Sequence, residues 1–153
     1  DLAEAITRHG IDPRQLILEV TETVFVGTDG NIVDTLRSIA STGCTIALDD
    51  FGTGYSSLNQ LRLMPATMLK IDRSYTTDLG TDAGTTAISR ALVALCDDLD
   101  IELVAEGIET ATHADIAATM GIPLGQGYHL DRPMSADSFF SGLRSPARDN
   151  DRG

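Results

Sequence analysis

The chain has 153 residues, with 11 Lys plus Arg against 23 Asp plus Glu and a formal net charge of -12. That balance excludes non-specific duplex binding through a basic patch, because neutralising phosphates takes clustered Lys and Arg. With 42% apolar residues and no apolar run near the ~20 that cross a bilayer, the sequence reads as one globular domain, or part of one, with no membrane segment.

Residues 2–9 (LAEAITRH) have helical spacing closed by Gly10, and Asp12-Pro13 marks a turn before the β-rich run 16–20. Ile32, Val33, Leu36, Ile39 and Ala40 follow at helical spacing, stopped by Gly43, and the apolar run 44–48 is short enough for a buried strand. A short helix is predicted around 57–63, a strand at 67–71, and a longer helix with Ile88, Ala91, Leu92, Leu95 and Leu99 on one face. The strand 102–105, a helix at 111–120 opened by Thr110, and an extended stretch at 124–128 complete five strand candidates. An amphipathic piece at 135–143 with Phe139 and Phe140 closes the domain, predicted as 1–143, and 144–153 is predicted to be a disordered polar tail. Cys44 and Cys96 each sit in an apolar segment, with no CxxC pair, and read as buried free thiols of a cytoplasmic protein. The alternation implies a parallel sheet, either doubly wound or closed as a barrel; periodicity alone leaves that choice open.

Carboxylates cluster at the strand ends. Glu19 and Glu22 follow the first apolar run, Asp49 and Asp50 the second, Lys70 and Asp72 the third, Glu106 and Glu109 the fourth, and Gln126 the fifth. In parallel α/β folds the carboxyl ends of the strands share one rim, where sites are built. Helix capping accounts for one or two of these acids. It does not account for Asp49 beside Asp50, or for Glu106 inside VAEG, since uncompensated carboxylates gathered together repel. A bound cation would relieve this, and an all-oxygen donor set selects Mg²⁺, Mn²⁺ or Ca²⁺. Of the three histidines only His129 lies near the rim, and all three read as surface or structural residues. Two metal ions about 3.5–4 Å apart are the usual device for in-line attack of water on a phosphodiester. The loop DDFGTGYSSL (49–58) brings Gly52, Thr53 and Gly54 to the rim; it lacks the third glycine of a dinucleotide fingerprint and the surroundings of a kinase DFG.

These stretches, LEVTET (18–23), IALDDFGTGYSSL (46–58), LKID (69–72), VAEGIET (104–110) and GQGYHLDRP (125–133), resemble the EAL-domain family of cyclic di-GMP phosphodiesterases, in family order and spacing. The resemblance implies an α/β fold of the (β/α)8 TIM-barrel type that hydrolyses cyclic di-GMP to linear pGpG with two divalent cations, Mg²⁺ or Mn²⁺. By motif position Glu19 would hold one metal, Asp49 would bridge the pair, Asp50 would reach the second, and Glu106 would bind or position the attacking water. Lys70 would hydrogen-bond that water or the developing phosphorane charge, with Gln126 ordering the same site. Glu22 would brace the DDFGTG loop, which couples the site to homodimer contacts in the family. Asp72, Arg132 and Pro133 are expected near substrate, although Asp131 stands where the family usually has a small polar residue.

The match departs at the N-terminus. The Glu-Ala-Leu signature and the metal-binding Asn of the second family strand are absent, and residues 3–5 read Ala-Glu-Ala. A barrel of this type runs about 250 residues, about 100 more than this chain supplies. The chain is therefore expected to lack the first two strands and helices and to be a piece of a larger protein, or to complete itself through another copy. The one short family strand without a secure place falls near 72–79 or 124–128. Because a metal held by fewer ligands is bound more weakly, a catalytically inactive EAL module that binds cyclic di-GMP or a protein partner is the alternative reading. A barrel aldolase using a Lys70 Schiff base is disfavoured, since a lysine among carboxylates keeps its proton and is a poor nucleophile.

Overall fold

A computed structural model of the chain describes residues 2–21, 24, 31–52 and 58–144. Within them lie five strands, β1 (Ile17–Thr21), β2 (Thr45–Phe51), β3 (Met68–Ile71), β4 (Glu102–Glu106) and β5 (Leu124–Gln126). Seven α-helices accompany them: α1 (Leu2–His9), α2 (Asn31–Ala40), α3 (Leu58–Leu63), α4 (Arg73–Thr77), α5 (Ala83–Leu99), α6 (Ala111–Thr119) and α7 (Ala136–Arg144). The strands pair in parallel in the order β1-β2-β3-β4-β5. A doubly wound sheet reverses its order at a switch point; this one does not, so the winding is that of a partial TIM-barrel-like fold.

The helix boundaries follow from short-range chemistry. Asp82 accepts a hydrogen bond from the Thr85 amide at 2.6 Å and opens α5, while Asp100, with φ of 57°, closes it in the left-handed region that Asp tolerates. Thr110 Oγ1 accepts from the His113 amide at 3.1 Å and opens α6, as its place before ATHADIAAT predicts. Asp72 does the same for α4, accepting from the Ser74 amide at 2.9 Å. That cap decides between the two places left open for the short strand: 72–79 holds a helical turn, and the strand lies at Leu124–Gln126. β2 runs three residues past the apolar run, through Asp49, Asp50 and Phe51. α7 continues to Arg144, one residue into the predicted tail; 145–153, like Glu22, Thr53 and Gly54, lie outside the described residues.

The two faces of the sheet differ. Ile46, Leu48, Leu69, Ile71, Leu103 and Ala105 join Leu36, Leu61, Leu92, Cys96 and Ile108 in one buried apolar cluster on the helix side. On the alternate positions Ala47, Met68 and Val104 form a separate small cluster. Because side chains alternate across a strand, the residues two positions after Ala47, Met68 and Val104 face the same way, and these are Asp49, Lys70 and Glu106. Cys44 and Cys96 are buried free thiols, as expected. Burial, and less so the neighbouring Asp97, push the Cys96 thiol up to about 11. Among the described residues no helix is long and apolar enough to cross a membrane.

Candidate metal centre

Lys70 is 5% exposed, and its ammonium sits at the middle of a carboxylate ring. Nζ lies 2.8 Å from Glu19 Oε1, 2.9 Å from Asp49 Oδ1 and 2.8 Å from Glu106 Oε1. The register explains the convergence: these residues occupy β1, β2, β3 and β4 on the face that also carries Ala47, Met68 and Val104. Burial pulls the Lys70 pKa down, but the bonds from Glu106, Glu19 and Asp49 outweigh it and hold it well above the ordinary lysine value. The three ion pairs favour the charged form of Lys70, which weighs further against the Schiff-base reading. Lys70 also supplies part of the compensation that sequence reasoning assigned to a bound cation alone.

Asp49 and Asp50 are adjacent, and in a regular strand they would point to opposite faces. The β2–β3 register shifts between Leu48 and Phe51, and Asp50 has φ of 56°. This irregularity breaks the alternation, so Asp49, Asp50 and Glu106 each present an oxygen within 4.8 Å of the others. A non-glycine residue in the left-handed region costs about 1–2 kcal/mol. Asp49 Oδ1 is buried and, outside its ion pair with Lys70, has no hydrogen-bond partner among the described residues. Four carboxylates against one ammonium leave a formal charge of three negative. An all-oxygen donor set that keeps residual negative charge after Lys70 is counted fits a hard divalent cation.

Beside this cluster opens a cavity of about 350 Å³ lined by Asp50, Asp72, Arg73, Glu106, Gly107, Glu109, Gln126, Gly127 and Tyr128. The structure therefore brings Glu19, Asp49, Asp50, Lys70 and Glu106 together, and it places Asp72 and Gln126 on the cavity wall. Asp72 has a structural job there as well: the Ser74 hydrogen bonds that make it a cap hold its carboxyl below the usual range. Arg132 lies outside the cavity wall, its guanidinium 4.9 Å from the Tyr128 ring centroid, and Pro133 follows it. His129 is exposed and donates its backbone amide to Ile108 O at 2.9 Å, in keeping with a structural residue. Sequence reasoning did not single out Arg73, Gly107 or Tyr128. Each is the neighbour, by one or two positions, of a residue that it did, and Gly107 (φ 70°) is required because a Cβ there would lie 2.5 Å from Arg73 Cβ.

Residues 1–133 match the EAL domain family. The chain belongs to the EAL domain family. It is 41% identical over 140 residues to a Pseudomonas aeruginosa protein named bifunctional diguanylate cyclase/cyclic di-GMP phosphodiesterase MucR, covering 91% of this chain and 20% of MucR. It is 32% identical over 139 residues to the cyclic di-GMP phosphodiesterase RocR of the same species, covering 91% of this chain and 36% of RocR. The solved cyclic di-GMP complex of the MucR phosphodiesterase superposes with a TM-score of 0.82 at 40% identity, over 90% of this chain and 56% of that one. A manganese and cyclic di-GMP complex of Klebsiella pneumoniae BlrP1 superposes with a TM-score of 0.80 at 33% identity, over 86% of this chain and 34% of that one. This EAL chain thus spans about a fifth to a third of the curated relatives it matches.

Proposed function

We propose that this EAL chain carries the catalytic rim of a divalent-metal-dependent phosphodiesterase that opens cyclic di-GMP to linear pGpG. The observation that carries the reading is the Lys70 ammonium held by Glu19, Asp49 and Glu106, beside three carboxylate oxygens within 4.8 Å of one another on the wall of a cavity. The names of MucR and RocR, and the cyclic di-GMP complexes of MucR and BlrP1, support the substrate class.

Glu19, Asp49, Asp50 and Glu106 would hold the cations, Mg²⁺ or Mn²⁺. When bound, such ions lower the pKa of attached water and neutralise an anionic phosphodiester. In the reaction, the water oxygen forms a bond to phosphorus, the bond from phosphorus to the ribose 3′ oxygen breaks, and that oxygen leaves with a proton, giving a 5′-phosphate and a free 3′-hydroxyl. Glu106 accepts the water's proton. Lys70, kept charged by its three partners, is a fixed positive charge toward the phosphorane oxygens and orients Glu106 through the 2.8 Å contact. Gln126, paired in register with Glu106 across β4 and β5, would help order the same site. Arg132 and Pro133, next to the cavity residue Tyr128, would border the nucleotide.

The test is turnover of cyclic di-GMP with Mg²⁺ or Mn²⁺, on this chain and on the longer protein that contains it, with products resolved by chromatography. The expected result is pGpG, with Glu106→Gln lowering the rate at least about a hundredfold. Intact cyclic di-GMP in both samples sinks the enzyme reading. A second reading, a module that binds cyclic di-GMP or a protein partner without turnover, is favoured by one observation: Lys70 already neutralises part of the carboxylate ring. Saturable binding of cyclic di-GMP without product would establish it.

A further inference from the structure

Asp50 reaches the cluster only because the end of β2 is held in an irregular path. Asp50 and Gly52 both have positive φ, 56° and 98°, within three residues. Such conformations persist where the surroundings over-determine them. One of those surroundings lies far along the chain. Tyr75, in α4, lays its ring on Gly52: a Cβ built there would meet the ring carbons at 2.5 and 2.8 Å and the hydroxyl at 2.7 Å. Its hydroxyl donates to the Gly52 carbonyl at 3.3 Å, and its own amide donates to the Asp72 carbonyl at 3.0 Å. The ring is half-buried and packs against the main apolar cluster. A chain of contacts therefore runs from the capped start of α4, through the Tyr75 ring, to the backbone two residues beyond Asp50.

We propose that Tyr75 is a positioning residue for Asp50, clamping the backbone at Gly52 so that the Asp50 carboxylate stays beside Asp49 and Glu106. This deepens the metal reading and rests on it. Gly52 is glycine for two reasons under this proposal: its backbone conformation, and the absence of a side chain where the ring lies. The 3.3 Å hydroxyl contact is long, so the ring does most of the clamping and the hydroxyl refines it.

The experiment is Mn²⁺ titration of the chain followed by electron paramagnetic resonance, for wild type, Tyr75→Phe and Tyr75→Leu, each also combined with Asp50→Asn. Tyr75→Leu is expected to weaken Mn²⁺ binding about tenfold, the usual size for residues that orient a ligand. Tyr75→Phe keeps the ring and is expected to stay within about twofold of wild type. In the Asp50→Asn background, Tyr75→Leu is expected to change affinity less than about twofold, because the residue it acts through is gone. Equal losses in both backgrounds would mean general loosening of the fold and overturn the proposal, as would unchanged affinity in Tyr75→Leu. A metal-free readout separates the two readings: backbone amide shifts at 49–52 move in Tyr75→Leu and hold in Tyr75→Phe. If wild type binds no Mn²⁺ yet those shifts move, the metal reading fails while the clamp stands. If the shifts hold, the clamp fails whatever the metal does, and Tyr75→Phe decides the hydroxyl's part should the leucine variant not fold.

Discussion

The two faces of one sheet teach different lessons. On the helix side, Ile46, Leu48, Leu69, Ile71, Leu103 and Ala105 pack into a continuous cluster that water does not reach. On the other side, the same strands bury the small apolar cluster of Ala47, Met68 and Val104 before the chemistry begins with Asp49, Lys70 and Glu106. A residue's place in the alternation, not its strand, decides whether it holds the fold or builds the site. The apolar packing concentrated on one face leaves the other free to carry charges.

The comparison can be tested from its strongest contrast downward. Leu69→Ala removes a fully buried helix-side chain and is expected to cost about 3 kcal/mol in urea unfolding, through lost transfer energy plus a cavity. A loss under about 1 kcal/mol would mean that the helix side is not the stabilising face. Lys70→Met strips the ring of its ammonium. Breaking a fully buried pair costs about 3–5 kcal/mol, but Glu19 is half-exposed and solvent screens it, so about 2 kcal/mol is expected at pH 7. In the wild-type chain the pKa of Lys70 is raised above 10.5, so its contribution is complete below that value and fades only as pH rises through the higher folded value. A wild-type stability drop between pH 7 and 9 traced to Lys70 would contradict the ion-pair geometry.

Smaller effects mark the border between the faces. Asp72→Ala removes the α4 cap and is expected to cost below about 1 kcal/mol, since solvent reaches the carboxylate. The Asp72 pKa is lowered from 3.8, so this contribution is present above that value and is lost as pH falls through the lower folded one. Thermal melts between pH 2.5 and 6 should show the wild type and the variant converging at the acid end. Ile17 lies on the inward face and is 52% exposed, and Ile17→Ser should move stability by no more than about 0.5 kcal/mol. The helix side should be chemically silent: Cys96, 1% exposed and with its thiol raised to about 11, is expected to resist a disulfide reagent at pH 8 until the chain unfolds.

Most elements were legible because their signals are local. The apolar runs at β1 to β4, the cap Thr110, and the helical stripe through Leu92 and Leu95 each state their own structure within a few residues. The region after β3 was read less well. The stretch that follows LKI allowed another strand, and the hydrogen bond from the Ser74 amide to the Asp72 side chain decided for a helix. The rim was legible as a set of strand ends, and the family motifs sharpened it. The mutual geometry was not: LDDF shows two adjacent acids but not the shift of register that turns both toward Glu106. The contact of Tyr75 with Gly52 joins residues 23 apart, and no local pattern announces it.

The sequence by itself determined the alternation of strands and helices, the acidic strand ends and the membership that its motifs announce, because periodicity, capping and motif spacing are short-range properties of the chain. Only the tertiary structure decided that the sheet winds in one direction, that one lysine is shared by three carboxylates, and that Asp50 leaves the regular path to join them. Those facts depend on which strands lie side by side and in what register, and parallel pairing is set by packing between segments rather than by any residue's own preference.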